Sequence, residues 1–103
     1  MERKDFQVKI NGFRVELGEV ESRYSKVSGG REAIVLPYEN AQGNIELAIV
    51  IEGGQYDYFQ HKEALSKELP AYEVPMKWLF IEAFPLNQNG KINRKEIKRI
   101  FNL

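Results

Sequence analysis

Hydrophobic and polar positions divide the chain into short pieces of different period. Two extended pieces, around residues 6–10 and 13–15, flank Asn11-Gly12, a dipeptide that favours tight hairpin turns. Leu17, Val20, Tyr24 and Val27 then recur at helical spacing, with Glu19, Glu21 and Arg23 on the other side. Ser28-Gly29-Gly30 stops that helix. Ala33-Ile34-Val35-Leu36 is a continuous apolar run and reads as a buried strand ended by Pro37. After a polar turn over residues 39–44, Ile45, Leu47, Ile49 and Ile51 alternate with Glu46, Ala48, Val50 and Glu52, which gives one apolar face. The two runs and their short turn predict an antiparallel hairpin.

Asp57 followed by Gln60 is a helix-start signal. Phe59, Lys62, Leu65 and Leu69 sit on neighbouring turns, and Pro70 ends the segment. Trp78-Leu79-Phe80-Ile81 reads as a third buried strand and residues 85–91 as a loop. Asn93 with Glu96 is a second capping pair, ahead of an apolar stripe of Ile97, Ile100 and Phe101. Sheet and helices must each hide one face. The expected fold is therefore α+β: a small N-terminal β-hairpin, then a three-stranded, mainly antiparallel sheet with about three packed helices.

Composition narrows the field of functions. The 103 residues suffice for one domain, and 43% hydrophobic with 29% charged residues fits an ordinary globule. Fifteen basic and fifteen acidic residues balance, so no global field points to nucleic acid or an anionic membrane. With no cysteine there is no disulfide or thiolate metal site, which suits a reducing cytoplasm. A lone histidine, His61, argues against a histidine metal site; on the second helix it reads as a surface residue. No apolar run is long enough to span a bilayer, and the first residues lack the apolar stretch of a secretory signal. Patterned sequence starts almost at once, as expected of a boundary at a linker.

Three segments carry candidate chemistry. The first is Arg3-Lys4-Asp5-Phe6-Gln7-Val8-Lys9-Ile10-Asn11-Gly12-Phe13-Arg14-Val15-Glu16-Leu17-Gly18-Glu19-Val20-Glu21. The second is Leu69-Pro70-Ala71-Tyr72-Glu73-Val74-Pro75, and the third is Pro85-Leu86-Asn87-Gln88-Asn89-Gly90-Lys91-Ile92-Asn93-Arg94-Lys95. In this order and spacing they resemble the C-terminal subdomain of the adenylate-forming superfamily, which includes acyl-CoA synthetases, luciferases and amino-acid adenylation domains. The first segment resembles the family's hinge and the motif after it; the third resembles its catalytic-lysine loop. The wording of the first is most similar to adenylation domains of peptide synthetases and to D-alanine–carrier-protein ligases. One departure is Glu2, where the family usually has glycine.

The resemblance implies that residues 1–103 form a single C-terminal lid, with residues 1–7 as the hinge region to an N-terminal ATP-binding core. Such enzymes activate a carboxylic acid with ATP as an acyl-adenylate, then pass the acyl group to a thiol. Lys91 corresponds to the catalytic lysine and, with Arg3 and Arg14, to the nucleotide contacts. Asp5 corresponds to the hinge, Gly12 and Phe13 to the pantetheine channel, and Asn89 and Gly90 to support of the lysine loop. ATP and Mg2+ would be bound mainly by the core, and the phosphopantetheine carried by an acyl or peptidyl carrier protein. No metal site in this chain, no nucleic acid and no membrane insertion are implied, and the location is cytoplasmic. Without a phosphate-binding loop or acyl pocket of its own, the chain is expected to be inactive alone.

Plainer readings stand beside these. Lys91 can be a solvated lysine after a turn, Gly12 a simple turn glycine, Asp5 a surface carboxylate, and Arg14 a partner of Glu16 or Glu19. Tyr72 and Pro75 read as shaping the approach to the third strand, and Trp78 and Phe80 as core. Arg94, Lys95, Lys98 and Arg99 read as a solvated helix face, or as a patch for an acidic carrier protein. For the whole chain, the alternative is a stand-alone module that docks a carrier protein or partner without chemistry.

Overall fold

The computed structural model describes residues 7–10, 12–53 and 58–103. Its elements run β1 (Gln7–Ile10), β2 (Phe13–Glu16), α1 (Leu17–Val27), β3 (Ala33–Glu39), β4 (Ile45–Glu52), α2 (Tyr58–Glu68), β5 (Lys77–Ile81) and α3 (Arg94–Ile100). β1 and β2 pair antiparallel, with Ile10 opposite Phe13. Between them Gly12 has φ 84°, a left-handed conformation that glycine adopts without a steric penalty. Ile10 and Val15 point inward and are buried, while Phe13 and Arg14 stay exposed.

The helical spacing in α1 buries Leu17, Val20 and Tyr24. The helix ends where expected: the Ser28 N–H donates to the Tyr24 carbonyl, and Gly29 and Gly30 take positive φ. Asn93 caps α3, its side chain accepting the Glu96 N–H at 3.1 Å. The cap expected at Asp57 lies outside the described residues, although α2 forms directly after it.

The sheet has the order β3-β4-β5. β3 and β4 are antiparallel; β4 and β5 are parallel, because α2 carries the chain back to the starting end before β5 begins. The sheet is thus mixed, with the longer ladder antiparallel. β3 does not stop at Pro37 but continues to Glu39. It is an edge strand, and the Val35 N–H and C=O face outward, away from β4. Pro37, two residues on, shares that orientation, so its missing N–H removes no ladder bond.

β4 is central and buried on both sides from Leu47 to Ile51. Ala48 and Val50 were expected on a less apolar face, but that face is covered as well. On one side of the sheet, Val35, Leu47, Ile49 and Ile51 pack with Ile10, Val15, Val20, Tyr24, Leu65 and Leu69. On the other, Ile34, Leu36 and Val50 pack with Phe84 and Ile97, joined by half-buried Ile92 and Phe101. The first hairpin, α1 and α2 therefore cover one face, and α3 with the segment before it covers the other. Trp78 and Phe80 are half-buried members of the first cluster, as edge-strand residues should be.

Two side chains depart from expectation. Ile100, placed in the apolar stripe of α3, is 47% exposed, because a helix of seven residues turns only Ile97 fully onto the sheet. His61 is half-buried rather than a surface residue; its Nδ1 lies 3.1 Å from the Tyr24 hydroxyl, with the rings edge-on at 5.6 Å. Among the described residues, no helix is long and apolar enough to cross a membrane.

Candidate functional site

The segment between β5 and α3 is built from its own backbone. The buried Phe84 donates its N–H to Glu52 Oε2 at 2.9 Å, at the end of β4. Beyond it the chain folds into a tight hairpin: the Asn93 N–H donates to the Pro85 carbonyl, Leu86 bridges Ile92, and the Asn87 N–H donates to the Lys91 carbonyl. At the tip, Asn87 Oδ1 accepts the N–H groups of Asn89 at 2.8 Å and Lys91 at 3.1 Å. Gly90 has φ 76° and donates to the Asn87 carbonyl, which closes the turn.

This hairpin presents Lys91 outward. Its side chain is exposed and has no ion-pair partner among the described residues. It lines an open groove of about 870 Å³ with Phe84, Asn93, Arg94, Glu32 and Glu52. Glu52 already holds the Phe84 N–H, and Arg94 is engaged with Glu21. Ile92, the next residue, is packed in the second apolar cluster, so the lysine projects from an anchored base.

A second set of candidates sits on the first hairpin. Gly12 is exposed, and a Cβ there would meet nothing within 4 Å. Phe13 is 53% exposed, with its ring stacked on Tyr72 at 4.4 Å and 15°. Arg14 lies directly opposite Lys9, and neither has a carboxylate partner among the described residues. Like charges placed cross-strand repel, so this exposed pair suits an anion. Glu16, one alternative partner for Arg14, instead accepts from Gln7 Nε2 at 3.0 Å. Tyr72 borders a hollow of about 260 Å³ that also includes Ile45 and Met76.

The candidates thus form two groups: Asn89, Gly90 and Lys91 on one hairpin, Gly12, Phe13 and Arg14 on the other. Their bases pack on opposite faces of the sheet. Arg3 and Asp5 lie outside the described residues. Sequence reasoning missed Asn87, although an asparagine opening Asn-Gln-Asn-Gly is a turn signal. It also missed the Lys9–Arg14 pair, which follows from the register of a two-residue turn. The Glu21–Arg94 pair, 73 residues apart, had no local signal.

Glu73, between α2 and β5, is only 8% exposed, and its Oε1 has no hydrogen-bond partner among the described residues. Burial, and then the neighbouring Glu19, push its carboxyl above the usual range, against a smaller pull from Arg23. Among the described residues no three His, Asp or Glu side chains gather as a metal-holding set.

No family model matches the chain. Over 96 residues it is 41% identical to tyrocidine synthase 3 of Brevibacillus parabrevis, a match covering 92% of the chain and 2% of the synthase. Over 106 residues it is 37% identical to the D-alanine–D-alanyl carrier protein ligase of Staphylococcus epidermidis, covering 97% of the chain and 22% of the ligase. Its fold superposes with a TM-score of 0.77 and 38% identity on a four-domain nonribosomal peptide synthetase crystallised with AMP and glycine, over 90% of the chain and 7% of that protein. The chain spans only a small part of the length of each relative. Matched along nearly its whole length in sequence and in fold, the chain is a homologue of one part of peptide-synthetase adenylation domains and D-alanine–carrier-protein ligases, the counterpart of their C-terminal subdomain.

Proposed function

We propose that this chain is the mobile lid of an AMP-forming ligase, which activates an amino acid such as D-alanine and transfers it to the phosphopantetheine thiol of a carrier protein. The observation that carries the reading is Lys91: an exposed ammonium without an ion-pair partner among the described residues, on a hairpin whose backbone is fixed by Asn87. An uncommitted cation on a rigid base suits a step in which negative charge builds on a phosphate.

In the first step the substrate carboxylate attacks the α-phosphate of ATP; the acyl–phosphate bond forms, and pyrophosphate leaves with the electron pair of the broken bond. Lys91 lies against the attacking carboxylate and the α-phosphate and offsets the charge shared by both. Its stem reaches into a cleft formed mostly by the N-terminal core. Arg3 and Arg14 contact the nucleotide ribose or phosphate, with Lys9 beside Arg14 adding to the positive field. ATP and Mg2+ are held mainly by that core.

For the second step the lid turns about the hinge at residues 1–7, with Asp5 absorbing the backbone change. Two candidate surfaces on opposite sheet faces suit an exchange by rotation. The open space beside Gly12 admits a pantetheine arm, and Phe13 flanks it. Asn89 and Gly90 form the turn that carries Lys91.

The test is a chimera in which this chain replaces the matching segment of the S. epidermidis ligase, assayed for D-alanine-dependent ATP–pyrophosphate exchange. Activity that falls with Lys91→Ala supports the lid. Activity indifferent to Lys91, or sustained exchange by the isolated chain, overturns it. Carrier-protein binding without exchange would favour a docking module.

A further inference from the structure

We infer that Glu21, acting through Arg94, is a positioning residue for Lys91, tying the lysine hairpin to helix α1 and to the open edge of the sheet. The inference rests on the proposed role of Lys91. Arg94 is the first residue of α3, three positions beyond the lysine. Its guanidinium forks onto Glu21: Nη1 donates to Oε2 at 2.9 Å and Nη2 to Oε1 at 3.1 Å. Glu21 Oε2 also accepts the Val35 N–H at 2.8 Å, and Arg94 Nη1 reaches the Val35 carbonyl at 3.4 Å. One ion pair therefore satisfies both outward backbone groups of Val35 on the edge of β3. The side chains are 24% and 17% exposed, so water competes little for the fork.

The geometry separates two jobs. Ile92 and Ile97 hold the hairpin and α3 down on the sheet by apolar packing, which resists lifting but is non-directional. A planar two-bond fork fixes direction, and with Glu52 on the Phe84 N–H it leaves both stems of the hairpin held by carboxylates from elsewhere in the fold. Catalytic groups misplaced by about 1 Å lose about 100-fold in rate, so such a tie bears on Lys91 directly. α1 also follows directly from β2, so one helix links the Gly12 hairpin to the Lys91 hairpin. The pair Arg99–Glu96 is the internal contrast: it lies within α3, with Arg99 mostly exposed and no other element involved.

The tie is tested on the 103-residue chain by 15N relaxation. With Arg94→Lys, which keeps the charge but loses the fork, and with Glu21→Gln, order parameters over residues 87–92 should fall from a rigid value of about 0.85 toward a flexible value below about 0.6. Ile49 in the central strand should stay rigid, which excludes general unfolding, and Arg99→Ala should change neither. In the chimera, the two positioning variants should lower kcat about tenfold with KM for ATP nearly unchanged, as expected when roughly one charged hydrogen bond is lost. Hairpin order unchanged by both variants overturns the inference, as does an unchanged kcat in an active chimera. A chimera inactive with the unaltered chain counts against the lid reading, while the relaxation experiment still decides whether the tie holds the hairpin.

Discussion

The two hairpins that carry the candidate residues are fixed by different forces. The first, β1–β2, is held by apolar anchors: Ile10 and Val15 are buried in the larger cluster, and Phe13 lies on Tyr72. The second holds its tip with polar groups, the Asn87 side chain at the turn, Glu52 at one stem and Arg94 with Glu21 at the other. Apolar packing is strong but weakly directional; hydrogen bonds are weaker and directional. On the proposed roles, a surface that only leaves room for a narrow arm can be built the first way, and a lysine that meets a developing charge needs the second.

The sharpest break in this comparison is Lys91→Ala. In the chimera it should cost about 10²–10³-fold in adenylation rate, the loss typical of a donor aimed at transition-state charge. Stability of the chain, read by urea unfolding, should move by less than about 0.5 kcal/mol, since the side chain is exposed. Ile10→Ala should do the reverse. Its cavity in the larger cluster should cost about 3 kcal/mol in urea unfolding, and any activity lost should track unfolding rather than the chemical step.

Glu73 sharpens the comparison from the side of the first hairpin, next to Tyr72. Its carboxyl is raised in the folded chain, so the folded state holds the proton more tightly than the unfolded state. The stability that comes with that proton is present at acid pH and lost as pH rises through the folded value. Glu73→Met should therefore stabilise by about 1 kcal/mol at pH 7, seen as a rise in Tm of about 4–8 °C, and the gain should shrink as pH falls through the raised folded value toward the usual carboxylate range. The smallest effects concern the turns. Gly12→Ala and Gly90→Ala should each cost about 1 kcal/mol, because both residues have positive φ and neither would meet a steric clash. Only Gly90→Ala should also lower the adenylation rate.

Much of this was legible in the sequence because it is local. Leu17, Val20 and Tyr24 face the core at helical spacing, Asn93 caps with Glu96 as the pattern predicts, and Gly12 and Gly90 sit at the turns. The three motif segments needed only their order and spacing to suggest a superfamily. Pro37 misled, because a proline ends a strand only where its N–H is needed, and an edge strand has a side where it is not. Ile100 misled because the short helix turns Ile97 fully onto the sheet, and Phe101 just past its end fills the neighbouring place, which leaves Ile100 at the rim. His61 misled because its neighbour Tyr24 comes from another helix.

The sequence by itself determined the order of the elements and the turns that carry Gly12 and Lys91, which depend on residues a few positions apart, and its three motif segments, taken in order, pointed to the family they resemble. Only the tertiary structure decided that β5 runs parallel to β4, that β4 is covered on both faces, that the two candidate surfaces have their bases on opposite sides of the sheet, and that Glu21 meets Arg94. Those facts depend on which surfaces helices cover once the chain has closed. No local pattern encodes a contact between residues 73 positions apart, because its energy exists only after the sheet has brought α1 and α3 together.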